Sequence, residues 1–419
     1  MSASMPVRTL LVLTTLLVGC GGRPPMVPLP DASVDPGDGG VVCPTEFEAK
    51  MTAALDAVPA TESFYLELRR DSDGRVFRAY HPVAGKAPIT EGSMLQSAST
   101  AKLISATVVL DVIANPGNYP GSGQALTLDS PVRDLLPTWK PTVGQLSATN
   151  RLAGVTLRQL LSFTSGLERE AACISSLTDP DACIGDLVDA NLLRNADAAA
   201  PRTFYYSGAH LFVAAQVAVH ASGMGDWGAL FKRFKELHQV FQTPLETPGQ
   251  AAFGVGAFYP ASGPGNSPSP AGAMRYTAGD YPLFLLKLMH REILPQGVLD
   301  ELFSDQLNRA GVTIEYSPLS DNGEDWHYGL GNWTECPLPA YAQACLDARR
   351  FSSPGSFGTY PFIDYNPSPA GEAPFVGLLG YGGTTQGVAS TTITIYRWLG
   401  GGALDTKDLA QRWAAATCL

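Results

Sequence analysis

The sequence of 419 residues predicts an α+β fold, an α/β sandwich with one sheet built from both ends of the chain around an inserted all-helical region. Three observations predict it. Apolar and polar residues alternate near the start, in 63–69 (SFYLELR) and 75–80 (RVFRAY), which is strand spacing. Strand-like runs return in the C-terminal third, at 326–333, 348–352, 357–364 and 374–379. Between them apolar residues recur at helical spacing over 209–221, 227–238, 276–294 and 295–307, and further helical patterns stand at 47–58 and about 406–415. No internal repeat occurs.

The first elements concern destination. Arg8 supplies a positive start, LLVLTTLLV a short apolar run, and Leu17-Val18-Gly19-Cys20 a cleavage site. Residues 1–19 therefore resemble a bacterial lipoprotein signal, which implies that Cys20 is acylated and becomes the first mature residue of an exported, membrane-anchored protein. The apolar run is too short to span a bilayer as a helix. Residues 20–44 are rich in Pro, Gly and Asp and read as a disordered tether, leaving 45–419 as the folded domain.

Within that domain the helix at 47–58 leads into a hairpin whose turn is Asp71-Ser72-Asp73-Gly74. Next comes MLQSASTAKLISATVVLDVI, residues 94–113, whose apolar residues from Ala101 onward are too continuous for a surface helix. A Pro- and Gly-rich stretch, 115–149, contains LTLDSPVRDLLP, and 155–167 reads VTLRQLLSFTSGL. Residues 254–273 are rich in Pro, Gly and Ser and read as a loop.

A net charge of −11 with 16% charged residues and no basic run argues against a nucleic-acid or anionic-membrane surface, since both need a basic patch. The apolar share of 45% is that of a globular protein. Setting Cys20 aside leaves six cysteines, an even number in an exported chain, which suggests three disulfides out of fifteen possible pairings. Cys173 with Cys183 and Cys336 with Cys345 would each close a short loop. Cys43 with Cys418 would then staple the two ends of the domain. No metal-ligand spacing is present, and no cofactor is expected.

The chemistry centres on Ser99 and Lys102. Residues i and i+3 share a helix face, so the hydroxyl and the amine come within hydrogen-bond reach. Of the eight lysines, Lys102 alone has a serine three residues before it. Desolvation in an apolar helix pushes a lysine pKa down, towards a neutral amine that accepts a proton and activates a serine without histidine. An exposed lysine with a serine N-cap is the ordinary alternative for an isolated S-x-x-K.

Several segments together resemble the serine beta-lactamase and penicillin-binding-protein superfamily, especially its class C-like hydrolases and esterases. Ser99-Thr100-Ala101-Lys102 is similar to the S-x-x-K motif. Residues 126–137 and 155–167 are similar to the segments that follow it, with Phe163 where histidine is common. Tyr206 and Gly208, in Phe204-Tyr205-Tyr206-Ser207-Gly208, stand at the Y-x-N motif, with glycine replacing asparagine. The third motif, K-T-G or H-x-G, has two candidates: Ser353 in SSPGSFG, favoured by its flanks, and Tyr381 in LGYGG. Residues 270–287 and Tyr328-Gly329-Leu330-Gly331 are similar to two smaller family segments.

The resemblance implies an antiparallel sheet flanked by N- and C-terminal helices. It implies Ser99 as nucleophile and Lys102 with Tyr206 as proton carriers, the tyrosine as a phenolate favoured by the nearby ammonium. It also implies an oxyanion hole from the backbone N–H groups of Ser99 and Ser356, with Ser353, Gly355 and Gly208 on the substrate side. The function implied is an exported serine hydrolase, a monomer acting on a small-molecule or peptide-like ester, amide or lactam. Loss of the asparagine and of the cationic residue points to esters before lactams. A relative that binds cell-wall or other ligands without turnover is the alternative. His210 reads as a helix-surface residue before a cleft residue, and Asp280 as structural.

Overall fold

Residues 64–70 form β1 (Phe64–Arg70), one residue along from the expected alternation, and they pair antiparallel with β2 (Val76–His81) across a turn in which Gly74 has φ +69°. The computed structural model describes residues 43–416 except 58–59, 61, 122–125, 177–178, 244–256, 259–268, 310, 321–322, 337, 339, 370 and 382–405. The signal segment, Cys20, nearly all of the tether, Cys418 and most of the expected loop at 254–273 lie outside the described residues.

The main sheet has seven strands. After β1 and β2 come β3 (His327–Tyr328), β4 (Trp333–Thr334), β5 (Arg350–Ser352), β6 (Tyr360–Asp364) and β7 (Phe375–Tyr381), in the order β2-β1-β7-β6-β5-β4-β3. Every pairing is antiparallel. Strand β1, from the start of the domain, pairs directly with β7, with Leu66 opposite Leu379, so the two ends of the chain meet within one sheet as expected.

Although apolar and polar residues alternate along β1, both of its faces are buried. The polar residue Glu67 is fully enclosed and satisfied by Tyr65, Arg69 and Arg78. A buried carboxylate needs such partners, because desolvation without them is expensive.

Helix α1 (Pro44–Asp56) packs on the last described helix, Thr406–Ala415. Trp413 Nε1 donates to Glu48 Oε1 at 2.9 Å, and Arg70 Nη1 donates to the carbonyls of Trp413 and Ala416 at 3.0 and 2.6 Å. The chain ends are thus neighbours. Cys43 is disulfide-bonded, and its expected partner Cys418 lies outside the described residues. Cys173–Cys183 and Cys336–Cys345 are both disulfides.

The apolar run becomes α2 (Ala101–Ala114), buried at every position from Ala101 to Val112. It packs beside α3 (Ala209–Ser222), another helix too apolar for a surface. Each buries the other, and the stack holds the start of α2 near Tyr206, just before α3.

Two expectations need correcting. The pattern at 276–294 is not one helix: Met274–Thr277 is a strand paired with Met94–Gln96, Leu95 opposite Tyr276, and the helix is Asp280–Met289. Strand pairing with a distant segment overrides local periodicity there. Residues 326–333 are not one strand but the hairpin β3–β4. Gly331 turns it at φ +76°, and a Cβ on Gly331 would meet Ala106 Cβ at 2.5 Å and Lys102 O at 2.8 Å. Glycine lets the hairpin tip rest on the first turn of α2. No described helix is long and apolar enough to cross a membrane.

Candidate active site

Ser99 sits in a single 3-10 turn, Ala98–Thr100, between the strand Met94–Gln96 and α2. Its neighbours are locked. Ser97 Oγ donates to the Gly272 carbonyl and accepts from the Met274 amide, both at 2.9 Å. Thr100 Oγ1 lies 2.9 Å from Tyr276 Oη, and Tyr281 Oη donates to the Thr100 carbonyl at 2.7 Å. Ala98 has φ +41°, a left-handed conformation that costs about 1–2 kcal/mol for a residue with a Cβ. Such strain persists where surrounding contacts fix it, and here it presents Ser99, half-buried, at the start of α2.

Lys102 is buried, 5% exposed, and its Nζ lies 2.9 Å from Ser99 Oγ and 2.9 Å from the Ala271 carbonyl. Burial pushes its pKa down to about 8, and the Glu170 carboxylate opposes the shift. An amine that is part neutral near pH 8, bonded to a hydroxyl, can take that hydroxyl's proton.

Tyr206 stands beside the pair. Its ring stacks on Trp333 at 5.4 Å, Lys102 Nζ sits 4.9 Å from the ring centroid, and its hydroxyl interacts with Ser99. The direction of its pKa corrects the phenolate expectation. Burial raises it, and the contact with Ser99 offsets this only partly. Tyr206 is therefore a neutral phenol, and Lys102 is the better proton acceptor.

Of the two candidates for the third motif, Ser353 is the one beside the nucleophile. It follows β5, and its Oγ donates to the Ser99 carbonyl at 3.0 Å. Gly355 is bound at both ends of the bend, its N–H donating to Thr359 O at 2.7 Å and its carbonyl accepting from Gly358 at 3.0 Å. A Cβ on Gly355 would lie 2.5 Å from Ser97 O, so glycine allows this bend to close on the turn that carries Ser99. Ser356 follows at the exposed tip of the bend. Tyr381 ends strand β7, buried against Gly358.

Sequence reasoning missed Glu170. Its Oε1 accepts from the Gly208 amide at 2.5 Å and would be 2.9 Å from a Cβ at position 208. Gly208 in place of asparagine signals a gap, but no local pattern shows which side chain fills it. His210 is not on a surface: it is fully buried, bonded to Ser165 Oγ at 2.8 Å and the Tyr205 carbonyl at 3.0 Å, and stacked on Phe163 at 4.9 Å. Burial lowers its pKa to about 3, so it is a neutral core imidazole. Asp280 accepts from Thr243 Oγ1 at 2.7 Å, a structural contact. Among the described residues no cluster of three or more His, Cys, Asp or Glu could hold a metal ion.

Comparison with known proteins bears on the family and the fold. A family model described as Beta-lactamase matches residues 59–366. No curated protein matches the sequence. Among solved structures, a candidate beta-lactamase from Bacteroides dorei is similar at 21% identity and TM-score 0.56, covering 84% of this chain and 97% of that one. The D-amino acid amidase of Ochrobactrum anthropi is similar at 15% identity and TM-score 0.54, covering 88% and 100%. A simvastatin synthase variant from Aspergillus terreus is similar at 15% identity and TM-score 0.52, covering 90% and 98%. At these identities the likenesses show the fold.

Proposed function

The chain belongs to the beta-lactamase family, and on that premise we propose that it is an exported serine hydrolase working through an acyl-enzyme, more esterase-like than a lactamase. The observation that carries this reading is the 2.9 Å contact between Lys102 Nζ and Ser99 Oγ. As Ser99 Oγ attacks the carbonyl carbon of an ester, amide or lactam, Lys102 takes the hydroxyl proton. The oxyanion is held by the backbone N–H groups of Ser99 and Ser356. Collapse of the tetrahedral adduct expels the alcohol or amine, protonated through Tyr206 or Lys102. Water then attacks the acyl-serine, gives its proton to Lys102, and releases the carboxylic acid with Ser99 restored.

The ester preference rests on what the cleft lacks. Ser353 carries no charge for a substrate carboxylate, and its hydroxyl is engaged with the Ser99 carbonyl. Gly208 offers no amide side chain. These two positions also support a second reading, a ligand-binding relative without turnover. The two observed disulfides support an oxidising, exported setting. Acylation at Cys20, a Cys43–Cys418 bridge and a monomeric state complete the proposal, and peptide mapping without reduction should recover Cys43 joined to Cys418.

A fluorophosphonate probe and a p-nitrophenyl ester panel test the hydrolase reading. Labelling of Ser99 with ester turnover, both lost in Ser99→Ala, supports it. Absence of labelling and turnover, with ligand binding that survives Ser99→Ala, supports the second.

A further inference from the structure

Glu170 reaches the site from outside every motif. Its Oε1 accepts from the Gly208 N–H at 2.5 Å and occupies space that a side chain at 208 would enter. Gly208 and Glu170 are therefore a matched pair. The same Cβ position lies 3.3 Å from Ala271 Cβ, and the Ala271 carbonyl accepts from Lys102 Nζ at 2.9 Å. The carboxylate is thus one residue's width from the Ser99–Lys102 pair. Glu168, two residues earlier, is held by Arg194, whereas Glu170 is exposed and forms no ion pair among the described residues. Ser353, in the third motif, carries no charge.

A fixed carboxylate facing solvent beside the nucleophile, felt by the Lys102 ammonium but ion-paired to no cation among the described residues, is suited to a substrate that brings its own. We propose that Glu170 selects the substrate, binding a protonated amine on the acyl part near the scissile carbonyl, so that aminoacyl esters and amides with a free amine are preferred over N-acylated ones. This rests on the hydrolase reading. An ammonium bound there also competes with the Lys102 charge for one carboxylate, which favours the neutral lysine that takes the Ser99 proton.

The test compares D- and L-alanine p-nitroanilide with their N-acetyl forms at pH 7, on the wild-type chain and Glu170→Gln. The expected result is at least a tenfold wild-type preference for a free-amine substrate in kcat/KM, expressed mainly in KM, and its collapse towards unity in Glu170→Gln. Calorimetry on Ser99→Ala, checked for folding by thermal melting, gives a readout free of turnover: D- or L-alaninamide binds at least tenfold tighter than its N-acetyl form, and Ser99→Ala/Glu170→Gln loses the difference. Equal handling of free and acetylated forms, or a preference that survives Glu170→Gln, overturns the role of Glu170. Unlabelled Ser99 together with a retained amine preference in binding would instead overturn the hydrolase reading and leave the amine site standing.

Discussion

Lys102 Nζ lies 4.9 Å from the centre of the Tyr206 ring, over its face, and among the described residues no hydrogen bond joins the two side chains. Both converge on Ser99, the amine through a 2.9 Å contact and the phenol through its hydroxyl. Ser99 is therefore the group that links the two side chains. With the phenol pKa raised and the amine lowered to about 8, the group whose ionisation governs acylation is Lys102. The value of kcat/KM for a neutral p-nitrophenyl ester should rise with pH through about 8 as the lysine loses its proton. In Glu170→Gln the midpoint should move down, because the carboxylate is what opposes the desolvation shift. A profile already flat from pH 6 upward would show that a different group takes the proton.

Replacing Lys102 separates function from stability. Its folded pKa, about 8, lies below its unfolded value of 10.5, so at pH 7 the buried ammonium costs the native state, by roughly 3 kcal/mol at 1.36 kcal/mol per unit. That cost is present below about pH 8 and fades as pH rises towards 10.5. Lys102→Met removes the charge but also the bonds to Ser99 and Ala271, worth about 1–3 kcal/mol together. The variant should be inactive yet at least as stable as the wild type at pH 7 in urea unfolding. Its advantage should shrink at pH 10. A variant that unfolds several kcal/mol more easily at pH 7 would mean that the lysine is a structural anchor.

Tyr206→Phe keeps the ring against Trp333 and deletes the hydroxyl that faces Ser99. Proton transfer by a positioned side chain contributes about 10²–10⁴-fold, so turnover of an aryl amide, whose poor leaving group needs a proton, should fall within that range. An activated aryl ester should lose less. The melting temperature should barely move. Equal losses on both substrates would place the hydroxyl in positioning Ser99 instead.

The sheet and the nucleophile were legible because each rests on a local pattern: alternation in β1 and β2, and a serine one turn before a lysine in a run too apolar for a surface. What escaped depended on contacts between distant segments. Tyr276 and Thr277 read as the start of a helix until Met94–Gln96 pairs with their segment. Glu170 has no signature, because its importance comes from the space left at Gly208. His210 reads as a surface residue because burial beside Phe163 and Ser165 is decided by the fold around it. The phenolate expectation failed for a related reason: spacing places an ammonium near Tyr206 but says nothing of how deeply the phenol is enclosed.

Gly331 ties the sheet to the nucleophile helix, and its substitution tests whether that tie matters. A methyl there would sit 2.5 Å from Ala106 Cβ and 2.8 Å from Lys102 O, with the backbone at φ +76°. The left-handed conformation costs about 1–2 kcal/mol for alanine, and forcing a methyl into a filled space costs about 1–3 kcal/mol more. Gly331→Ala should therefore lose roughly 2–5 kcal/mol in chemical denaturation. Gly117→Ala is the control, since a Cβ there meets nothing within 4 Å. Because the clash falls on the Lys102 carbonyl, relief requires the first turn of α2 to move, which lengthens the contact between Lys102 and Ser99. Fluorophosphonate labelling of the folded Gly331→Ala chain should then be slower than in the wild type, while Gly117→Ala labels at the normal rate. Labelling at the wild-type rate in Gly331→Ala would show that the hairpin yields instead of the helix.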